Sequence, residues 1–80
     1  MAIDDSTMTT VMLAFKTALE IELADPSDDF FALGGDSLAA IELIASLEDA
    51  LGIDLGVEEL FEYPTPIALA GRVQEIRGAL

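Results

Sequence analysis

The sequence predicts an all-α fold, a small four-helix bundle with three main helices, a short third one and a long first loop. Two observations predict it. Apolar residues recur at i, i+3, i+4 and i+7 in separate stretches, and glycine, proline or aspartate clusters interrupt those stretches. No stretch alternates apolar and polar residues convincingly enough for a strand.

The first helix is expected over residues 6–22, ending near Leu23, with Met8, Val11, Met12, Phe15, Ala18 and Leu19 on its inner face and Ser6 or a nearby Thr as cap. Residues 24–36 hold Pro26, four aspartates and two glycines, so they read as a long loop that Phe30, Phe31 and Leu33 anchor to the core. The second helix, 37–51, buries Ala40, Leu43, Ile44, Leu47 and Leu51 and stops at Gly52. Val57, Leu60 and Phe61 support a weak third helix over 57–62, before Tyr63-Pro64. Thr65-Pro66 is a favourable cap and first-turn pair for the last helix, 65–78, with Leu69, Val73, Ile76 and Leu80 facing inward.

Eighty residues make one domain, spanning 1–80, and a chain this short buries only about 60% of the surface it exposes when unfolded. A deep substrate cavity has no room. The chain has no Cys and no His, which excludes disulfides, thiolate zinc sites and imidazole chemistry. Lys16, Arg72 and Arg77 stand against sixteen acidic residues, for a formal charge of −13 that speaks against nucleic acid and anionic membranes and in favour of basic partners. No apolar run approaches the ~18 residues of a membrane span, and the acidic N-terminus is unlike a signal peptide, so a soluble cytoplasmic protein is expected. Its 52% apolar content argues against disorder.

The segment Leu33-Gly34-Gly35-Asp36-Ser37-Leu38 is the candidate site. Two glycines allow a sharp turn, Asp36 can cap the following helix, and Ser37 is then left at the helix mouth outside the core. A phosphoryl group on the Ser37 oxygen would lie at the positive end of the helix dipole, an effect of roughly 0.3 to 1 kcal/mol. On the outer face of the same helix, Leu38, Ile41 and Ala45 form an apolar strip flanked by Glu42, Glu48 and Asp49. That strip either widens the core face or serves as a docking surface, where apolar contacts give affinity and carboxylates steer a basic partner.

The run FFALGGDSLAAIELIASLEDALGIDL, from Phe30 to Leu55, resembles the acyl and peptidyl carrier protein family, whose signature is a serine in a Gly-x-Asp-Ser-Leu context. The tail FEYPTPIALAGRV is similar to the family's segment before its last helix, so the resemblance runs from about Met8 onward. It implies an acyl-carrier-protein-like bundle in which Ser37, within Gly35, Asp36 and Leu38, receives 4′-phosphopantetheine from coenzyme A through a phosphopantetheinyl transferase. The arm's thiol would carry acyl or aminoacyl thioesters, supplying the thiol group that a cysteine-free chain lacks. The resemblance further implies a monomer that catalyses nothing itself. It would present its cargo through Leu38, Ile41, Glu42, Ala45, Glu48 and Asp49 to an adenylation or acyl-loading enzyme and to downstream condensing or tailoring enzymes. The Gly34-Gly35 pair points to the peptidyl, specialised-metabolism branch, while Asp36 and the acidity point to free-standing carriers. Nonribosomal peptide or related antibiotic-type biosynthesis is expected, with a polyketide or fatty-acid carrier as the alternative. Met1 and an end just after the last helix fit a discrete protein, with excision from a larger synthase as the alternative.

Three rival readings share these residues. Gly35-Asp36-Ser37-Leu38 also spells a serine esterase motif, but such an enzyme needs a histidine base. Asp25, Ser27, Asp29 and Asp36 have the spacing of calcium-loop positions 1, 3, 5 and 12, yet Phe30 stands where that loop needs glycine, and no metal site is expected. A non-catalytic helical adaptor would use Ser37 only as turn chemistry.

Overall fold

A computed structural model describes residues 3–22 and 25–78 and contains four helices, α1 (Asp5–Leu19), α2 (Ser37–Leu51), α3 (Glu58–Glu62) and α4 (Pro66–Gly78). The described residues form no strand. Helix α1 packs against both α2 and α4, and the core collects Val11, Phe15, Leu43, Leu47, Leu60, Leu69 and Val73, all fully buried. No helix among the described residues is long and apolar enough to cross a membrane.

Helix α1 departs from the expected bounds at both ends. Asp4, not Ser6, is the N-cap: its carboxylate accepts the Ser6 N–H at 3.0 Å, which places the first turn one residue earlier. The helix closes at Leu19 instead of running to 22, because Glu20 adopts a left-handed conformation (φ 55°) and the Glu20 and Ile21 amides fold back onto the Thr17 and Lys16 carbonyls. Leu23, where the helix was expected to end, lies outside the described residues. The expected inner face holds at Val11 and Phe15, is half-buried at Met8, Met12, Ala18 and Leu19, and also includes Thr7 and Ala14.

Helix α2 has the expected bounds. Asp36 accepts the Ala39 N–H at 2.9 Å, and Gly52 (φ 64°) closes the other end with its N–H on the Glu48 carbonyl. Ala40, Leu43, Ile44 and Leu47 are buried, whereas Leu51, in the last turn, is only half-buried. Leu47→Ala is expected to cost about 2 to 5 kcal/mol, read as a lowered urea midpoint at unchanged slope.

Helix α3 starts at Glu58, one residue later than expected, since Val57 caps it without a side-chain hydrogen bond. Leu60 is its buried anchor, but Phe61, expected to join that apolar cluster, is 56% exposed. Helix α4 starts at Pro66 with Thr65 as its cap, the Thr65 hydroxyl accepting the Ala68 N–H at 3.2 Å. Leu69 and Val73 are buried and Ile76 is half-buried, Pro66 and Ala70 join them, and Leu80 lies outside the described residues.

Candidate functional site

The turn before Ser37 is built from below by Phe30. Its ring is fully buried, edge-on to Phe15 at 5.6 Å and to Phe31 at 5.2 Å between centroids. The backbone folds over that ring: the Gly35 N–H donates to the Phe30 carbonyl at 3.0 Å, and the Leu33 N–H to the Asp29 carbonyl at 3.0 Å. The two glycines therefore answer different demands. Gly34 has φ 98°, which L side chains resist, with open space around it. Gly35 is required by contact instead, since a Cβ there would lie 2.2 Å from the Phe30 ring.

The loop aspartates, among them Asp25 and Asp29 of the calcium-like spacing, are used as turn acceptors. Asp25 takes the Ser27 N–H and hydroxyl, Asp28 takes the Asp25 N–H, and Asp29 takes the Phe31 and Ala32 N–H groups. The Ser27 hydrogen bonds hold the Asp25 carboxyl below its ordinary value by favouring the charged form.

With the turn held from beneath, Ser37 becomes the first residue of α2, exposed, directly after its cap. Leu38 and Ile41 are 65% and 56% exposed, which decides that these residues lie outside the core. Glu42, Ala45 and Asp49 share the exposed side. Glu48 differs from its neighbours: it is half-buried and its carboxylate accepts the Leu55 N–H at 3.2 Å, so it braces the turn after α2. Phe61 adds an aromatic surface that sequence reasoning placed inside. It stacks on Phe31 with centroids 5.1 Å apart and planes 6° from parallel. A lone Phe on a five-residue helix carries no periodicity that would have revealed its exposure.

Beside the turn lies an open cavity of about 270 Å³, bordered by Leu19, Leu33, Gly34, Leu38, Ala39 and Glu42. A larger one of about 450 Å³, lined by Tyr63, Ile67, Gly71 and Arg72, includes no residue of the Ser37 turn. The smaller cavity borders the serine turn at Gly34, Asp36 and Leu38. The N-terminal end of the α2 dipole favours negative charge at this place.

The four-helix bundle thus presents an exposed Ser37 at the capped start of α2. Residues 9–73 match the model of a family described as "Phosphopantetheine attachment site", and the chain belongs to that family, whose members carry covalent 4′-phosphopantetheine. It is a carrier domain of the nonribosomal peptide synthetase type. A similar segment occurs in malformin synthetase mlfA of Aspergillus tubingensis, 40% identical over 67 residues, which is 84% of this chain and 1% of the synthetase. The chain thus spans about one hundredth of that relative's length. Among solved structures, a free-standing peptidyl carrier protein from Acinetobacter baumannii superposes with a TM-score of 0.79 at 27% identity, covering 85% of this chain and 88% of that one. The acyl carrier protein BlmI of Streptomyces verticillus shares the fold, with a TM-score of 0.84 at 24% identity and coverage of 88% and 84%.

Proposed function

We propose that Ser37 is the residue that bears 4′-phosphopantetheine, and that the chain holds aminoacyl or peptidyl intermediates as thioesters for nonribosomal peptide assembly. The observation that carries this reading is the placement of an exposed Ser37 directly after the Asp36 cap, inside Gly34-Gly35-Asp36-Ser37-Leu38. The arm supplies the thiol. The chain's own residues position it: Phe30 and Gly35 hold the turn, Asp36 caps α2, and the hydroxyl faces solvent where a transferase can reach it. Residues 1–80 act as a single monomeric carrier unit, cytoplasmic, with no reaction of its own.

Its partners are a phosphopantetheinyl transferase, an adenylation enzyme that loads the thiol, and condensing or tailoring enzymes that consume the thioester. Leu38, Ile41 and Ala45 supply the apolar contact, and Glu42 and Asp49 attract basic side chains. The acidity of the chain supports that choice of partner charge. Incubation with coenzyme A, magnesium and a broad-specificity transferase tests the reading: intact mass should rise by one phosphopantetheine, located on Ser37.

Glu42→Gln is expected to slow association with the transferase roughly two- to fivefold at low salt and to flatten its salt dependence. Stopped-flow association across ionic strengths measures this, with the thermal midpoint as control. Association that keeps its rate and salt slope would remove Glu42 from the docking face. Glu48→Gln should in addition loosen the turn at Leu55, since its carboxylate has a structural partner there.

A further inference from the structure

The serine loop is seated on one corner of the molecule. The Phe30 N–H donates to the Pro64 carbonyl at 2.8 Å, and the Pro26 carbonyl accepts the Ile67 N–H at 2.9 Å. Phe31 stacks on Phe61. All three partners fall within residues 61–67, the α3 end and the bend into α4. The placement of the Ser37 turn therefore depends on the placement of that corner.

The corner has little intrinsic stability. Helix α3 has five residues and no side-chain cap, well below the length at which a helix holds itself together in water. Arg72 reaches it from α4: its Nε donates to both Glu59 carboxylate oxygens, at 3.1 and 3.3 Å, and its guanidinium lies 5.9 Å from the Tyr63 ring centroid. Glu59 is the more buried partner, its side chain 16% exposed against 34% for Arg72. In a chain with three basic residues, loss of Arg72 would leave Glu58, Glu59 and Glu62 on one short helix with their repulsion uncompensated.

We propose that Arg72 is a positioning residue for the Ser37 turn: through its ion pair with Glu59 it holds the 59–67 corner on which the loop is seated. The signal travels by contact, from Arg72 to Glu59, along α3 to Phe61, and through Phe31 and Phe30 to Gly35. Its relevance to function rests on Ser37 being the attachment residue, but the seating of the loop is measurable without any modification.

Native-state amide exchange on the unmodified protein tests it, comparing wild type with Arg72→Ala, the near-isosteric Glu59→Gln, and the charge-reversed pair Glu59→Arg with Arg72→Glu. Exchange of the Phe30 and Gly35 amides is expected to accelerate about fivefold in each single variant, with the Leu47 amide in α2 unchanged. The reversed pair should restore much of the protection. Unchanged Phe30 and Gly35 amides would overturn the proposal, as would equal acceleration at Leu47, which marks a general loss of stability. Ser37 modification should also slow in the single variants. Absence of modification in wild type would instead count against the attachment reading and leave the exchange result to decide the role of Arg72.

Discussion

Ser37→Ala is expected to abolish phosphopantetheine transfer completely while leaving the domain folded. On the proposed attachment the Ser37 oxygen, losing its proton, attacks the pyrophosphate of coenzyme A and displaces 3′,5′-adenosine bisphosphate, and alanine has no atom to replace it. Stability should move by less than about 0.5 kcal/mol, since the side chain is exposed at the first helical position and lends the core nothing. Intact mass after incubation with coenzyme A and transferase, alongside a thermal melt, checks both halves. Added mass on the variant would place the attachment elsewhere, whereas an unmodified wild type, with a known carrier modified in parallel, would favour a helical adaptor that uses Ser37 only as turn chemistry.

Phe30→Ala should have the largest effect on folding. Its ring is fully buried between Phe15 and Phe31 and supports the Gly35 backbone, so truncation leaves a cavity beneath the serine turn at a cost of roughly 3 to 5 kcal/mol. For a domain of 80 residues that is a large share of a total stability of roughly 4 to 12 kcal/mol. The geometry also predicts non-additivity. Gly35→Ala alone is expected to cost about 1 to 3 kcal/mol by overpacking against the ring, but much less once Phe30 is Ala, because the added methyl then occupies vacated space. Urea midpoints for the two single variants and the double variant measure the coupling. Strict additivity would show that the ring does not set the requirement at position 35.

The legible parts of the fold were those written in local pattern. Ala40, Leu43, Ile44 and Leu47 repeat at helical spacing, Asp36 and Gly52 bracket them, and Thr65-Pro66 marks the start of α4; each is a short-range rule acting on neighbouring residues. The end of α1 was not legible in that way. Glu20 is no more a helix breaker than Glu42, and only its backbone conformation terminates the helix.

The site divides in the same manner. Its proposed chemistry rests on a local run: Gly-Gly-Asp-Ser-Leu carries the family resemblance, and the absence of histidine and cysteine removes imidazole and thiolate mechanisms. Whether the Leu38 and Ile41 strip is exposed or widens the core could not be read in that way, because helical periodicity states which residues share a face but not where the buried sector ends. Packing of α1 and the loop on α2 leaves Leu38 and Ile41 in solvent, draws Glu48 towards Leu55, and turns Phe61 outward onto Phe31. The separate reasons for the two adjacent glycines, and the corner that Arg72 holds, likewise exist only after residues far apart in the chain have met, since sequence encodes local conformational preference whereas steric contact and ion pairing depend on distance in space.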